Sequence, residues 1–307
     1  MQLITSNDRI PEPCVCTIGF FDGVHLGHQN LIQQVKEEAK RSGLKSCLIT
    51  FPEHPRKVLH QTFVPELLTT LEEKLTLLAA TGVDYCLLLP FTLPLAELTA
   101  REFIQQIVYE RCGAQCLLIG YDHRFGHNRS EGFEEYVAYG REIGLRVLKA
   151  SPFGNYSSSL IRRALQQGDV KLVTQALGRP YSFSGKVMRG HSVGRTLGFP
   201  TANLELEGQK LLPYSGAYAV AVDKDDAPLC GGMLHIGTRP TIDSDATVTI
   251  EVHLLGFIGN LYGEKLRIYL LEYLRVPQKF PSQEALVAQL NKDKTDCLQC
   301  YSAYLEG

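Results

Sequence analysis

A chain of 307 residues, 44% hydrophobic and 21% charged, is long enough for two domains and apolar enough to bury real cores, which excludes a disordered segment. Its formal net charge is -2, and both halves are close to neutral, against the basic excess expected of a nucleic-acid or membrane-surface binder. Nine cysteines, an odd number, are scattered through a chain too large to need covalent staples, as expected for reduced thiols in a cytoplasm.

Residues Met1 to Pro13 lack the cationic start and apolar run of a secretion signal. The longest apolar stretch, around Cys86–Phe91, is too short to span a bilayer. From Cys14 to Lys149 short apolar strands alternate with amphipathic helices. Val15–Ile18 reads as a strand, and Leu31, Ile32, Val35 and Ala39 then fall at helical spacing before Gly43. Ser46–Phe51 is the next strand. A helix carrying Leu71, Leu75 and Leu78 stops at Gly82, ahead of a strand at Tyr85–Leu89. Thr99 and Glu102 form a capping box that opens a helix with Phe103 and Ile107 on one face. A strand at Cys116–Ile119, a helix near Phe133–Ile143 and a strand at Arg146–Lys149 complete the series. Repeated strand–helix units imply a parallel sheet covered by helices, with ligands at the carboxyl ends of the strands.

Ser157 to Leu177 reads as a connecting segment of two short helices broken by Gly168-Asp169. Beyond Gly178 the period changes. Tyr181–Val187, Ala217–Val222, Leu229–Ile236, Thr247–Leu254 and Lys265–Leu274 read as strands, with no helix until Ser282. This pattern predicts an antiparallel barrel or sandwich closed by a carboxyl-terminal helix. The expected organisation is therefore residues 1–178, with the linker helices, followed by residues 179–307.

The first strand runs directly into Gly19-Phe20-Phe21-Asp22-Gly23-Val24-His25-Leu26-Gly27-His28 and a helix. A helix amino terminus offers free N–H groups and positive dipole to a phosphate chain. His25 and His28 add hydrogen bonds that strengthen as charge develops on a leaving pyrophosphate. Taken alone, the string also fits a tight turn with two surface histidines. Carboxylates and cysteines are not at ligand spacing, so a zinc site is not expected. In the second half, Gly185, Gly190, Gly194-Arg195 and Gly198-Phe199-Pro200-Thr201-Ala202-Asn203 imply a loop packed closely on a ligand. Period-two alternation on Thr247–Leu254 sets Thr249, Glu251 and His253 on the polar face. By itself Glu251 reads as a solvated strand residue. Cys297 and Cys300 have redox-motif spacing but lie in the terminal helix, where they read as packing residues, as do Tyr301 and Tyr304.

The Gly19–His28 string resembles the HxGH signature of nucleotidyltransferases, in the form found in prokaryotic FAD synthetases. Phe51-Pro52-Glu53-His54-Pro55-Arg56 resembles the family's flavin-side loop. Gly120-Tyr121-Asp122-His123-Arg124-Phe125-Gly126 resembles the loop after a later strand. Ser157-Ser158-Ser159-Leu160-Ile161-Arg162 resembles its second phosphate motif. Gly194-Arg195 through Pro200-Thr201-Ala202-Asn203 resembles the riboflavin kinase signature, and Gly237–Thr241 and Glu251–Leu254 agree with it. The fold implied is an α/β nucleotidyltransferase-type (Rossmann-like) parallel-sheet domain followed by a small antiparallel β-barrel domain with a C-terminal helix. The activity implied is bifunctional: riboflavin to FMN, then FMN to FAD, with ATP and Mg²⁺ in both steps.

The resemblance assigns ATP to Gly19, Phe21, Asp22, Gly23, His25, Gly27, His28, Ser157, Ser158, Ser159 and Arg162 in the first domain. In the second it assigns ATP to Gly190, Gly194 and Arg195. Flavin falls to Phe51, His54, Pro55, Asp122, Arg124 and Phe125. Thr201 and Asn203 are the implied metal ligands, and Glu251 is the implied base. His28 and Arg162 are the implied catalytic groups of adenylyl transfer. Departures are Phe20 for a common Asn, His123 for Phe, Ser159 for Thr, His235 for Asn, Gly256 for an acidic residue, and a longer stretch at Arg129–Gly132. No nucleic-acid, membrane or obligatory protein partner is expected. Two rival readings stay open: a homologue that binds flavin and ATP without turnover, and an enzyme with one silent domain.

Overall fold

The computed structural model describes residues 1–5, 8–59, 64–121, 123–127, 130–189, 196–206, 208–239 and 247–306. The chain divides into two compact units, Met1–Ser158 and Ser159–Gly307.

The first unit is built on six strands: β1 (Gln2–Ile4), β2 (Cys14–Ile18), β3 (Lys45–Thr50), β4 (Tyr85–Leu88), β5 (Ala114–Ile119) and β6 (Arg146–Lys149). They form one sheet in the order β1-β4-β3-β2-β5-β6, and every neighbouring pair is parallel. From β2 the chain builds outward through β3 to β4, then crosses back to add β5 and β6 on the other side. The order therefore reverses at β2, and the crevice for a ligand lies outside the carboxyl ends of β2 and its neighbours. All five residues of β2 are buried, as a parallel strand covered on both faces requires. Helix α1 (Leu26–Ser42) buries Ile32, Val35 and Ala39 and ends at Gly43, whose φ of 67° is the left-handed C-cap. The short α2 (Pro55–Val58) follows β3, and α3 (Leu71–Ala80) opens with a capping box of Thr70 and Glu73. After α4 (Leu93–Glu97), α5 (Ala100–Phe103) opens with the expected Thr99/Glu102 box and continues as a π-helical run, Ile104–Arg111. Helix α6 is Phe133–Glu142. Strand β1 was not legible in the sequence: three residues on a sheet edge carry too little pattern to set a period.

Helices α7 (Ser158–Gln166) and α8 (Val170–Leu177), foreseen as a connecting segment, belong by packing to the second unit. Tyr214 N donates to Leu165 O at 2.9 Å, and a Cβ on Gly168 would meet the Tyr273 ring at 3.3 Å. The compact boundary thus falls at Ser158, ahead of the change in sequence period at 178. The rest of this unit is a closed barrel, which selects the barrel over the sandwich. Its strands are β7 (Ser182–Met188), β8 (Ala202–Leu206), β9 (Gly216–Lys224), β10 (Ala227–Arg239), β11 (Thr247–Leu254) and β12 (Lys265–Arg275), closed in the order β10-β11-β8-β7-β12-β9. All its pairings are antiparallel. The sequence left β8 as part of a glycine-rich loop; in the fold it bridges β7 and β11 and carries Asn203.

The terminal helix α9 (Gln283–Glu306) covers one side of the barrel. Phe199, Ala219, Met233, Leu255 and Cys297 form one buried cluster, so Cys297 is a packing residue, as expected. The Tyr301 ring lies where a Cβ on Gly231 would fall within 2.7 Å. Arg275 donates to the buried Asp293 carboxylate at 2.7 Å, and Gln289 adds a further bond. That pairing is what a charge out of water requires.

Candidate active sites

In the first unit the site begins where β2 ends. Phe21, Gly23 and Val24 have φ of 56°, 80° and 41°, a left-handed turn that two side-chain-bearing residues adopt under strain. Contacts from Leu68 and Thr69, just ahead of α3, hold it there. The buried Asp22 carboxylate accepts from Leu68 N at 3.0 Å, Thr69 N at 3.1 Å and Thr69 Oγ1 at 3.1 Å, while Gly23 N donates to Thr69 Oγ1 at 3.1 Å. Asp22, expected at ATP, therefore anchors the turn through its side chain. Ser158 Oγ donates to Asp22 O at 2.9 Å, which ties Ser158 to the turn after β2.

His25 is the N-cap of α1, and its Nδ1 accepts from His28 N at 3.3 Å. An accepting Nδ1 puts the proton of the neutral ring on Nε2, where it serves as a donor. The His25 and His28 rings stack with centroids 3.6 Å apart and 19° from parallel. Gly27 is needed for this approach: a Cβ there would lie 3.1 Å from the His25 ring and 3.2 Å from Tyr156 O. Nδ1 of His28 is shielded from solvent and has no hydrogen-bond partner among the described residues. Burial, then the charges of His25, His123 and Lys74, hold the His28 imidazole well below its ordinary pKa. The ring is thus neutral at pH 7 near the Lys74 ammonium, a setting that an incoming polyphosphate relieves.

The loop after β3 carries residues expected at the flavin. His54 caps α2, with Nδ1 accepting from Arg56 N at 3.2 Å and Pro55 in the first turn. Its ring sits edge-on to Phe20, 4.9 Å away. The rings of Phe51 and Phe125 are buried in the core, against Phe91 at 5.4 Å and Tyr136 at 4.4 Å, as is that of Phe21 beside His28 at 5.3 Å. These three positions shape the loops by packing. Arg124, Ser157 and Ser159 are exposed, and Arg162 lies one turn into α7. Asp122, Gly190, Gly194, Arg195 and part of both Arg129–Gly132 and Gly237–Thr241 lie outside the described residues.

Lys74 is a further group beside these loops, one that no sequence motif marks. It stands with Leu71, Leu75 and Leu78 on the inner face of α3, and only 2% of it is exposed. Its Nζ donates to Phe51 O at 2.7 Å and Phe20 O at 3.2 Å, and lies 4.1 Å from the Phe20 ring centroid. A lysine at helical spacing within an apolar stripe was the available clue.

In the second unit, Thr201, Asn203 and Glu251 come together from β8 and β11. Thr201 Oγ1 donates to Glu251 Oε2 at 3.2 Å, and Asn203 is the cross-strand partner of Glu251. A ring nitrogen of His253, on the same face, lies 2.7 Å from Pro200 O and fixes the approach to β8. His235 stands opposite Glu251 in the β10–β11 ladder. Burial lowers its pKa and the Glu251 carboxylate works the other way. Among the described residues no group of three or more His, Cys, Asp or Glu could hold a metal. Oxygen donors from Thr201 and Asn203 instead suit a hard divalent cation that keeps waters and borrows phosphate oxygens.

Residues 7–163 match the family model described as FAD synthetase, and residues 177–301 match that described as riboflavin kinase. A bifunctional riboflavin kinase/FMN adenylyltransferase of Escherichia coli (strain K12) is 38% identical over 288 residues, covering 92% of this chain and 91% of its own. The protein of the same name from Listeria monocytogenes is 35% identical over 297 residues, covering 95% and 94%. Among solved structures, a Streptococcus pneumoniae protein described as a macrolide-efflux protein superposes with a TM-score of 0.87 at 30% identity, covering 95% of this chain and 97% of that one. Among the described residues no helix is long and apolar enough to cross a membrane. Two family models in tandem and relatives matched along nearly their whole length agree with the two sites described above: this chain belongs to the bifunctional riboflavin kinase/FMN adenylyltransferase family.

Proposed function

We propose that the barrel unit phosphorylates riboflavin and the parallel-sheet unit adenylylates the resulting FMN, with Mg²⁺-ATP as co-substrate in each. The observation that carries the reading is the pairing of Thr201 with Glu251 at 3.2 Å, in the same chain as a His25–His28 stack on a helix amino terminus.

In the kinase step the Glu251 carboxylate accepts the proton of the terminal ribityl hydroxyl as its oxygen attacks the γ-phosphorus of ATP. The bond to the bridging oxygen breaks, and ADP leaves. A positioned carboxylate of this kind contributes about 10²–10⁴-fold. Thr201 and Asn203 would hold Mg²⁺, which supplies charge neutralisation on the terminal phosphates. The Thr201–Glu251 hydrogen bond sets the base beside that position.

In the adenylyl step an FMN phosphate oxygen attacks the α-phosphorus of ATP in line, and pyrophosphate leaves. The nucleophile is already an anion, so no base is required. His25 Nε2–H, the N–H of the neutral His28 ring and the N–H groups of α1 receive the phosphates, and these hydrogen bonds strengthen as charge builds on the leaving group. Ser157, Ser158, Ser159 and Arg162 are assigned to the same phosphates on the resemblance of their motif, and Arg124 and the His54–Pro55 turn to the flavin. Nine free cysteines, with every pKa shift resolved among them upward, fit a reducing cytoplasm.

Two single variants of the full chain test the assignment. Glu251→Gln should lose FMN formation and still convert supplied FMN to FAD, and His28→Asn should do the reverse. A mixture of the two should restore FAD synthesis from riboflavin. If either variant abolishes both reactions while remaining folded, the division of labour is wrong.

A further inference from the structure

We propose that Lys74 is a positioning residue for adenylyl transfer: its ammonium ties the ATP-side loop after β2 to the flavin-side loop after β3, setting the distance between the two substrates. This rests on the reading that the first unit transfers an adenylyl group to FMN.

The geometry is that of a bridge between two main chains. One N–H of Lys74 reaches Phe51 O at 2.7 Å, at the carboxyl end of β3, and another reaches Phe20 O at 3.2 Å, at the carboxyl end of β2. The ammonium also covers the Phe20 ring at 4.1 Å, and that ring meets His54 of the flavin-side loop at 4.9 Å. Main chain and side chain thus join the same two loops twice through one residue. The β2 loop so held is the strained one, with φ of 56° at Phe21 and 41° at Val24, immediately before His25. Asp22 and Thr69 keep the shape of that turn, and Lys74 sets where it stands relative to the flavin-side loop.

The same contacts make a poor case for Lys74 as a stabiliser. Burial pushes its pKa down to about 8, against the pull of the Asp22 carboxylate, so the folded unit holds the charged form reluctantly. An apolar side chain on this face of α3 would join Leu78 in the core without that penalty. What the ammonium adds is reach to two carbonyls 31 positions apart in sequence (Phe20 and Phe51), each beside a different substrate loop. In-line transfer requires the attacking oxygen and the phosphorus to be held about 3–3.5 Å apart, and a 1 Å displacement costs roughly 10²-fold.

The test uses the full chain carrying Lys74→Met, with FMN and ATP both saturating. The expected result is a fall of about 10–100-fold in kcat for FAD formation, from the misplacement penalty above. ATP affinity of the unreacted protein should change by less than about 3-fold, because the α1 amino terminus and its histidines remain. Riboflavin phosphorylation should stay near that of the wild type, and the thermal midpoint of the first unit should not fall, because the penalty of the buried ammonium is gone. A kcat within about 2-fold of wild type would overturn the proposal. So would a loss that merely tracks a fall in ATP-binding capacity or folded fraction, which is what a structural role predicts. If Lys74→Met does not fold, Lys74→Gln, which keeps a donor but no charge, is read by the same three measurements. Failure of the underlying reading looks different: the wild-type protein itself would make no FAD from FMN.

Discussion

His25 and His28 are locked together twice, by a hydrogen bond from His28 N to His25 Nδ1 at 3.3 Å and by a ring stack at 3.6 Å. The first contact is a helix cap and the second arranges two imidazoles over one helix amino terminus. The two residues therefore divide their duties differently. Replacing His28 by Ala should lower kcat for FAD formation by about 10²–10³-fold, the usual cost of one charge-stabilising donor, with little change in stability. Replacing His25 by Ala should lower that rate too and also remove the cap, costing about 1 kcal/mol of the first unit's stability. Steady-state kinetics with urea unfolding separates the two.

The low pKa of His28 sets a pH dependence. Its folded-state value lies below the ordinary 6.5, through burial first and then neighbouring positive charge. Below pH 6.5 the unfolded chain binds a proton that the folded site refuses, so stability from this group falls as pH drops toward the folded value. ATP reverses the situation by bringing negative charge, which raises the His28 pKa. Binding near pH 6 should therefore take up protons, read by calorimetry in buffers of different ionisation enthalpy, and His28→Asn should abolish most of the uptake.

Lys74 works at the other end of the scale. With a folded-state pKa of about 8 against 10.5, its burial penalty is fully present below pH 8 and is relieved as pH rises to 10.5. The full penalty corresponds to roughly 3 kcal/mol. Unfolding free energies of the wild type minus Lys74→Met should rise across that window. A flat difference would mean that the ammonium is buried without cost.

Much of this was legible because the telling patterns are local. The His25–His28 motif is a strand–turn–helix unit, and period-two alternation placed Glu251 and His253 on one face of β11. Thr201, Asn203 and Glu251 lie together in the fold, through a hydrogen bond and a cross-strand pairing. What escaped depends on contacts between distant positions. Sequence pattern does not show that the Asp22 carboxylate is engaged by Leu68 and Thr69, 46 and 47 positions on. The partners of Lys74, Phe20 O and Phe51 O, arrive from the loops after two strands that are far from it in sequence. Aromatic motif residues Phe21, Phe51 and Phe125 sit beneath the site in the core, a distinction that sequence pattern does not draw.

Gly27 offers a steric prediction. A methyl group there would fall 3.1 Å from the His25 ring and 3.2 Å from the fixed carbonyl of Tyr156. Gly27→Ala should cost about 1–3 kcal/mol through forced displacement and weaken ATP binding to the first unit, while leaving the kinase untouched. Thermal melts with and without ATP would show both effects.

On the barrel, Thr201→Val removes the hydroxyl that donates to Glu251 at 3.2 Å while keeping its shape. Riboflavin phosphorylation should fall and need more Mg²⁺ for half-maximal rate, because one oxygen donor is gone. An unchanged Mg²⁺ requirement would remove Thr201 from the metal's surroundings.

The central claim, that one chain carries out both steps in order, is tested most directly by a time course. The purified protein is incubated with riboflavin, ATP and Mg²⁺, and the three flavins are separated by chromatography. The account predicts that FMN appears first and is then drawn down as FAD accumulates. FMN that persists with no FAD, or riboflavin left unconverted, would contradict it.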